Sequence, residues 1–297
     1  MKIYTLNQYV HDVFGQKLYK IALDGGFTCP NRDGTTDTRG CIFCSGAGSG
    51  EFAGDRAMSI TRQIEKGKER VAGKIKDGRY IAYFQAFTNT YAPVEKLRAL
   101  YMEAISHRDI AVLSIATRPD CLPDEVLDLL CECNKIKPVW VELGLQTIHP
   151  QTAEYIRRGY SLSVYDDAVN RLKATGIEVI VHVMLGLPGE TRQDMLDTVS
   201  YVGKSRADGI KLQLLHVIRG TDLEKDYLEG KFETLAFESY VELVAECIAL
   251  LPENMVIHRM TGDGDKRTLV APMWSADKKR VLNAIQKAIS QKDRIRD

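Results

Sequence analysis

The chain has 297 residues, 44% of them hydrophobic, and 40 Lys plus Arg against 40 Asp plus Glu. That is enough to bury a large core in one domain or two, and a net charge of zero excludes bulk attraction to nucleic acid or an anionic membrane, leaving only local patches for such partners. The opening MKIYTLNQYVHDVFG lacks the apolar centre of a signal peptide, and no apolar run approaches the roughly 20 residues of a bilayer span, so the chain reads as cytoplasmic with no membrane partner.

In chain order, KIALDG (20–25) is the first short β-rich run, and CPNRDGTTDTRGCIFC (29–44) follows it without hydrophobic period. Further strands are predicted at IAYFQAF (81–87), AVLSIAT (111–117), VWVELGLQ (139–146), VIVHVMLG (179–186) and IKLQLLHV (210–217). Helical periods over about 59–77, 93–107, 123–136, 150–175 and 191–206 lie between them. Six strands alternating with helices imply a parallel sheet with right-handed crossovers.

Strand faces decide its shape. In VWVELGLQ, Val139, Val141, Leu143 and Leu145 share an aliphatic face, while Trp140, Glu142, Gly144 and Gln146 share the other. Gln85, Ser114, His182, Lys211 and Gln213 occupy the matching polar faces of other strands. Helices on both sides of an open sheet would bury those groups at a few kcal/mol each, about 2 or more, unless paired. A curled sheet with its concave side towards a ligand would not, so the expected fold is α/β, a partial (β/α)6 TIM-like barrel with its site at the strand C-terminal ends. From about 219 the pattern changes to a loop, a helix over 234–251 and a tail. The expected division is a barrel over 1–220 and a mostly helical, basic extension over 221–297 that packs on it.

Residues 266–297 hold nine Lys/Arg against three Asp/Glu, and 62–79 hold seven against three. These are ordinary solvated faces or a nucleic-acid footprint. Cys121, Cys131, Cys133 and Cys247 read as buried thiols. Cys29, Cys41 and Cys44 sit in a loop after the first strand, where such barrels keep their sites. They suit a structural zinc with a distant fourth ligand, a four-iron cluster with one open iron, or no metal at all.

With Phe43 placed just before the last cysteine, this loop resembles that of the radical S-adenosylmethionine (SAM) superfamily. KIALDGGFTCPNRDG followed by GCIFC, with eleven residues between the first two cysteines where the superfamily usually has three, is similar to the YtqA/YhcC-like (MnmL) branch, which is related to the radical-SAM part of the Elongator catalytic subunit. ELGLQT (142–147), RRGY (157–160), HVMLGLPGET (182–191) and KLQLLHVIRGTDL (211–223) resemble later motifs of the same family. The resemblance implies a [4Fe–4S] cluster on Cys29, Cys41 and Cys44. It implies SAM contacts from Phe43, Gln85, Thr117, Glu142, Gln146, Arg158, Gly186 and Leu187, with Arg158 reaching the SAM carboxylate and the backbone after the fifth strand reading adenine. His182 and Lys211 become candidate catalytic groups, and Arg32, Gln213, Lys278, Lys279 and Arg280 candidate substrate contacts. The implied activity is tRNA modification, removing the carboxymethyl group of 5-carboxymethylaminomethyl(-2-thio)uridine at the wobble position. The implied partners are a tRNA anticodon stem-loop and a reductase or flavodoxin- or ferredoxin-type electron donor. A radical SAM enzyme for a small metabolite or a protein, and a zinc-stabilised RNA-binding module without catalysis, are the alternatives.

Overall fold

The computed structural model describes residues 3–74, 78–262 and 264–296. Its elements in chain order are α1 (Leu6–Phe14), β1 (Leu18–Leu23), α2 (Ile60–Val71), β2 (Arg79–Phe84), α3 (Val94–Ser106), β3 (Ile110–Thr117), α4 (Asp124–Ile136), β4 (Val139–Gln146), α5 (Pro150–Tyr155), α6 (Leu162–Ala174) and β5 (Glu178–Leu185). They continue with α7 (Arg192–Lys204), β6 (Gly209–Leu214), β7 (Val217–Ile218), α8 (Asp222–Leu228), α9 (Phe237–Leu250), β8 (Val256–Arg259), β9 (Leu269–Ala271) and α10 (Lys278–Arg296).

Seven strands form one parallel sheet in the order β1-β2-β3-β4-β5-β6-β8, a curled half-barrel whose two edges do not pair. Its outer face carries the main core, where Leu23, Phe84, Leu113, Val141, Leu143, Val181 and Leu212 meet the helices. The aliphatic residues of period two therefore turn to the helices, as the alternation predicts. Local signals fix the helix starts. The Thr191 side chain accepts from the Asp194 N–H while the Asp194 carboxylate accepts from Thr191 N–H, a reciprocal cap at the start of α7.

The concave side is layered. Leu18, Ile81, Val112, Trp140 and Ile180 close its lower end together with Val10 of α1. One pleat higher come Lys20, Tyr83, Ser114, Glu142, His182 and Lys211, and the cavity opens above them. Because side chains on one face recur every two residues, each of β1 to β5 contributes one member to both layers.

Three features differ from the sequence-based expectation. The sheet has a seventh strand, β8, which lies beyond the expected boundary at 220 and pairs with β6; Val256–Arg259 is too short to display a period. The helix expected over 150–175 is two, because Arg157 (φ 55°) and Gly159 (φ 82°) take left-handed backbone between α5 and α6. The loop expected after 219 contains α8, and β7 just before it pairs antiparallel with β9. Residues 75–77 of the predicted 59–77 helix lie outside the described residues. Beyond β6, α9 packs on α7 and α10 on α9. No described helix is long and apolar enough to cross a membrane.

Candidate active site

At the C-terminal ends of the strands the sheet encloses a cavity of about 640 Å³, and all three cysteines of the 29–44 loop line it. The eleven-residue insertion folds back on itself, which returns Cys41 to Cys29. Arg32 N–H donates to Cys29 O (2.8 Å), Thr36 N–H to Pro30 O (2.8 Å) and Gly40 N–H to Asn31 O (2.6 Å). Gly40 has φ +78°, and a Cβ there would lie 2.9 Å from Arg32 Nε. Arg32 Nη2 donates to Cys44 O (2.9 Å) and Ser45 O (2.6 Å), joining the insertion to the second turn. Asn31 Nδ2 donates to Arg157 O (2.6 Å) and to Cys41 Sγ (3.4 Å). Gly159 leaves room for this approach, since a Cβ would meet Asn31 Oδ1 at 2.8 Å. The RRGY segment thus docks the cysteine loop through its backbone.

Replacing Arg32 with Gln removes the guanidinium that serves two carbonyls, a loss of about 1.5–3 kcal/mol in the loop. The expected result is a folded protein that takes up less than half the wild-type iron and sulfide on anaerobic reconstitution. Full uptake would separate Arg32 from loop placement.

Burial pushes the Cys41 thiol up to about 12, with Cys44 adding to the rise and Arg118 and Asn31 offsetting part of it. Burial also raises Cys44, against the pull of Arg32. Thiolates here need further positive charge, which iron supplies. Among the described residues, the one group of three or more His, Cys, Asp or Glu ligand atoms lying mutually within 4.8 Å is Glu65, His107 and Asp109, so the three sulfurs are not all that close to one another. A single tetrahedral zinc with bonds of about 2.3 Å needs sulfurs roughly 3.8 Å apart. Three free thiols that line one cavity without all being gathered to that spacing suit the separate irons of a cluster.

Opposite the thiols, Glu142 is fully buried and gathers groups from four strands. Its Oε1 accepts from Lys20 Nζ (2.7 Å) and Ser114 Oγ (2.8 Å); its Oε2 accepts from His182 Nε2 (2.8 Å) and Lys211 Nζ. Burial works against the carboxylate, but Lys20 and Lys211, then His182, outweigh it and hold Glu142 well below the usual range. Burial, with Lys211 beside it, lowers His182 to about 4 against Glu142's pull, so its ring is neutral at pH 7. Gln213 Nε2 donates to His182 Nδ1 (3.2 Å), which assigns the ring hydrogen to Nε2.

The predicted site residues divide between the cavity and its surroundings. Arg32, Phe43, Gln85, Thr117, Glu142, Gln146, Arg158, His182, Lys211 and Gln213 line the cavity. Gln85 Nε2 donates to Ser49 O (2.7 Å), and Thr117 shares a hydroxyl hydrogen bond with Thr90 (2.6 Å). Gln146 has φ 62° and lies against Tyr160, whose hydroxyl is 3.4 Å from its Oε1. Lys211, expected as a catalytic group, is sealed in the ion pair with Glu142, its side chain 3% exposed. Arg158, expected on the SAM carboxylate, instead donates to the carbonyls of Leu145 (3.0 Å), Thr147 (2.6 Å) and Tyr160 (2.9 Å). Arg32, expected on substrate, holds the cysteine loop. Gly186 N–H faces Met195 Sδ (3.0 Å), and Leu187 is buried with Ile42, Leu215 and Val217; neither lines the cavity. Lys278, Lys279 and Arg280 begin α10 away from the cavity, with Arg280 stacked 4.4 Å from the Phe237 ring centroid. Of the other cysteines, Cys121, Cys133 and Cys247 are buried and Cys131 half-buried.

Lys20, Tyr83, Arg118, Tyr160 and Arg259 also line the cavity, and sequence reasoning did not single them out. Lys20 and Tyr83 share the inward parity of their strands with Ala22 and Gln85, which is a usable signal. Arg118, bound to Asp120 (2.7 Å) and 5.0 Å from the Tyr160 ring centroid, follows β3 directly. Arg259 ends a strand that gave no signal.

A parallel half-barrel with three free thiols above a polar layer points to an iron–sulfur enzyme whose chemistry occurs at the strand ends. The chain belongs to the radical SAM superfamily: the model of that superfamily matches residues 38–202, and that of the radical SAM C-terminal domain matches 207–291. Its cofactors are accordingly a [4Fe–4S] cluster and SAM. It is 48% identical over 291 residues to YtqA of Bacillus subtilis (strain 168), covering 98% of this chain and 90% of that one. It is 30% identical over 165 residues to the tRNA uridine(34) acetyltransferase of Methanocaldococcus jannaschii, covering 54% of this chain and 30% of that one. The fold is shared with an N-terminally truncated Elp3 of Methanocaldococcus infernus at TM-score 0.70 and 17% identity, over 93% of this chain and 63% of that one.

Proposed function

We propose that this chain modifies tRNA, converting 5-carboxymethylaminomethyl(-2-thio)uridine at the wobble position to the 5-aminomethyl form. The observation that carries the reading is the sign of the cavity. Lys20, Arg32, Arg118, Arg158, Lys211 and Arg259 line it against Glu51, Glu142 and Asp265, which favours an occupant bearing an anionic group. Similarity to a tRNA uridine(34) acetyltransferase supports a uridine of tRNA as the carrier of that group.

Cys29, Cys41 and Cys44 hold the cluster, and Phe43, Thr117 and Gln146 border the space for SAM beside it. When bound, these cofactors supply a 5′-deoxyadenosyl radical able to remove a hydrogen atom from substrate. The apolar layer around Trp140 closes the lower end to water, and the polar layer around Glu142 receives the substrate. In the substrate, the methylene between nitrogen and carboxylate loses a hydrogen atom and then an electron, giving an iminium. Water adds to it and releases the aminomethyl nucleoside and a two-carbon aldehyde acid. A flavodoxin- or ferredoxin-type protein donates the initiating electron, and a one-electron carrier of the same class accepts the one removed.

Mass spectrometry of tRNA nucleosides from a strain lacking the gene tests this. The expected result is accumulation of the carboxymethylaminomethyl nucleoside and loss of the aminomethyl form; unchanged nucleosides overturn it. A small-molecule or protein substrate is the second reading, favoured by the position of Lys278, Lys279 and Arg280 away from the cavity.

A further inference from the structure

The half-barrel is open at β1, and the space inside it does not stop at that edge. A groove of about 360 Å³ runs along the free edge of β1 between α2 and the 52–58 loop, and it shares Lys20, Ala22 and Phe52 with the cavity. The two spaces therefore meet across the edge strand. Close packing places α2 there: a Cβ on Gly67 would lie 2.3 Å from Ile21 Cγ2, so the glycine lets the helix settle directly on β1. The facing loop is equally fixed. Gly54 N–H donates to Ala22 O (3.0 Å), and the buried Gln63 of α2 accepts from Asp24 N–H (2.9 Å) and donates to Asp24 O (2.9 Å) and Met58 O (3.2 Å). This anchored loop presents Phe52 at the junction, 49% exposed and in no apolar cluster of the described residues.

The charge of α2 divides by face. Lys68 is neutralised by Glu65 (3.0 Å) and Asp109 (2.6 Å). Arg62, Lys66 and Arg70 follow one another at four-residue spacing, a stripe about 12 Å long, and take no ion pair among the described residues. Lys66 and Arg70 line the groove, and Arg62 is exposed one turn before them. An exposed ring followed by a row of unneutralised cations is the combination that holds single-stranded nucleic acid, with a base on the ring and phosphates along the cations. A nucleotide within a polymer enters a cavity only if its neighbours have a way out, and the open edge provides one.

We propose that the β1 edge is the track by which the substrate RNA strand leaves the cavity: Phe52 stacks on the nucleotide next to the one inside, and Arg62, Lys66 and Arg70 take the phosphates that follow. This rests on the proposed tRNA reaction and adds where the polymer lies.

The test uses anaerobically reconstituted holoenzyme with SAM and a fluorescently labelled anticodon stem-loop carrying 5-carboxymethylaminomethyluridine, with binding read by anisotropy across a salt series. In the triple variant Arg62→Gln, Lys66→Gln, Arg70→Gln, affinity is expected to fall at least tenfold, and the slope of log affinity against log salt to flatten by about 2. The free nucleoside, titrated calorimetrically, is expected to bind within twofold of wild type. Phe52→Ala is expected to weaken the stem-loop about tenfold with the salt slope unchanged, and Phe52→Trp to recover the loss. A triple variant with wild-type affinity and slope overturns the track. So does equal weakening of stem-loop and nucleoside, which would mean damage to the cavity, and so does tighter binding of polyglutamate than of the stem-loop, which would assign the face to an acidic protein. Stem-loop binding that depends on the stripe, in a protein whose deletion leaves tRNA nucleosides unchanged, would uphold the track and reject the uridine reaction. Accumulation of the carboxymethylaminomethyl nucleoside in the deletion strain, with the triple variant binding like wild type, would do the reverse.

Discussion

Cys41→Ala yields a folded protein that forms no 5′-deoxyadenosine from SAM under reducing conditions. Cys41 is the thiol most embedded in the loop's own support, receiving the Asn31 amide at 3.4 Å while that amide also binds Arg157 O. Removing its sulfur deletes a cluster ligand without touching the barrel core, so the circular dichroism spectrum and melting temperature are expected to match the apo wild type. The readouts are iron and sulfide per chain, the electron paramagnetic resonance signal of the reduced cluster, and 5′-deoxyadenosine by chromatography. SAM cleavage at wild-type rate would remove Cys41 from the cluster.

Glu142→Gln has the largest expected effect on stability. The wild-type carboxylate balances Lys20 and Lys211, and the amide leaves those ammonium groups without a counter-ion inside the half-barrel. Breaking a buried pair by removing one partner costs about 3–5 kcal/mol. In a chain of this length that lowers the melting temperature by roughly 5–8 °C. The pH dependence has a defined sign. Glu142 is held well below its ordinary value in the folded protein, so its contribution is complete above about pH 4.3 and is lost only as the pH falls through the depressed value. Glu142→Gln is expected to melt lower at neutral pH, and its deficit should shrink in acid. Adding Lys211→Met should restore part of the loss, because it removes one stranded charge. A single variant that melts with the wild type would mean that this network does not hold the sheet.

Much of this architecture is legible in the sequence because period two is a local property. The polar parity of VWVELGLQ places Glu142 inside, and the same parity brings His182, Lys211, Gln85 and Gln213 to it. What is not legible depends on partners far away in the chain. No local pattern marks Arg32 as a clamp on the Cys44 and Ser45 carbonyls, or Arg158 as a clamp on those of Leu145 and Thr147. Arg259 is hidden for another reason: its strand has four residues, and it acquires meaning only beside Lys211. The break between α5 and α6 escapes periodicity because the apolar spacing continues past Arg157 and Gly159, where the backbone does not.

The order in which the site's parts are made has a consequence for biogenesis. The cysteine loop is synthesised early, but its docking carbonyls at Arg157 and Arg158 come more than a hundred residues later, and β8 joins the sheet near the end. Ile257 N–H then donates to Tyr4 O (2.8 Å), tying the last strand of the sheet to the first described residues. A growing chain that has not yet reached Arg157 therefore presents three thiols with neither their support nor a closed vessel around them. The loop therefore gains its support only once Arg157 and Arg158 have been made, and the edge strand β8 closes the sheet after that.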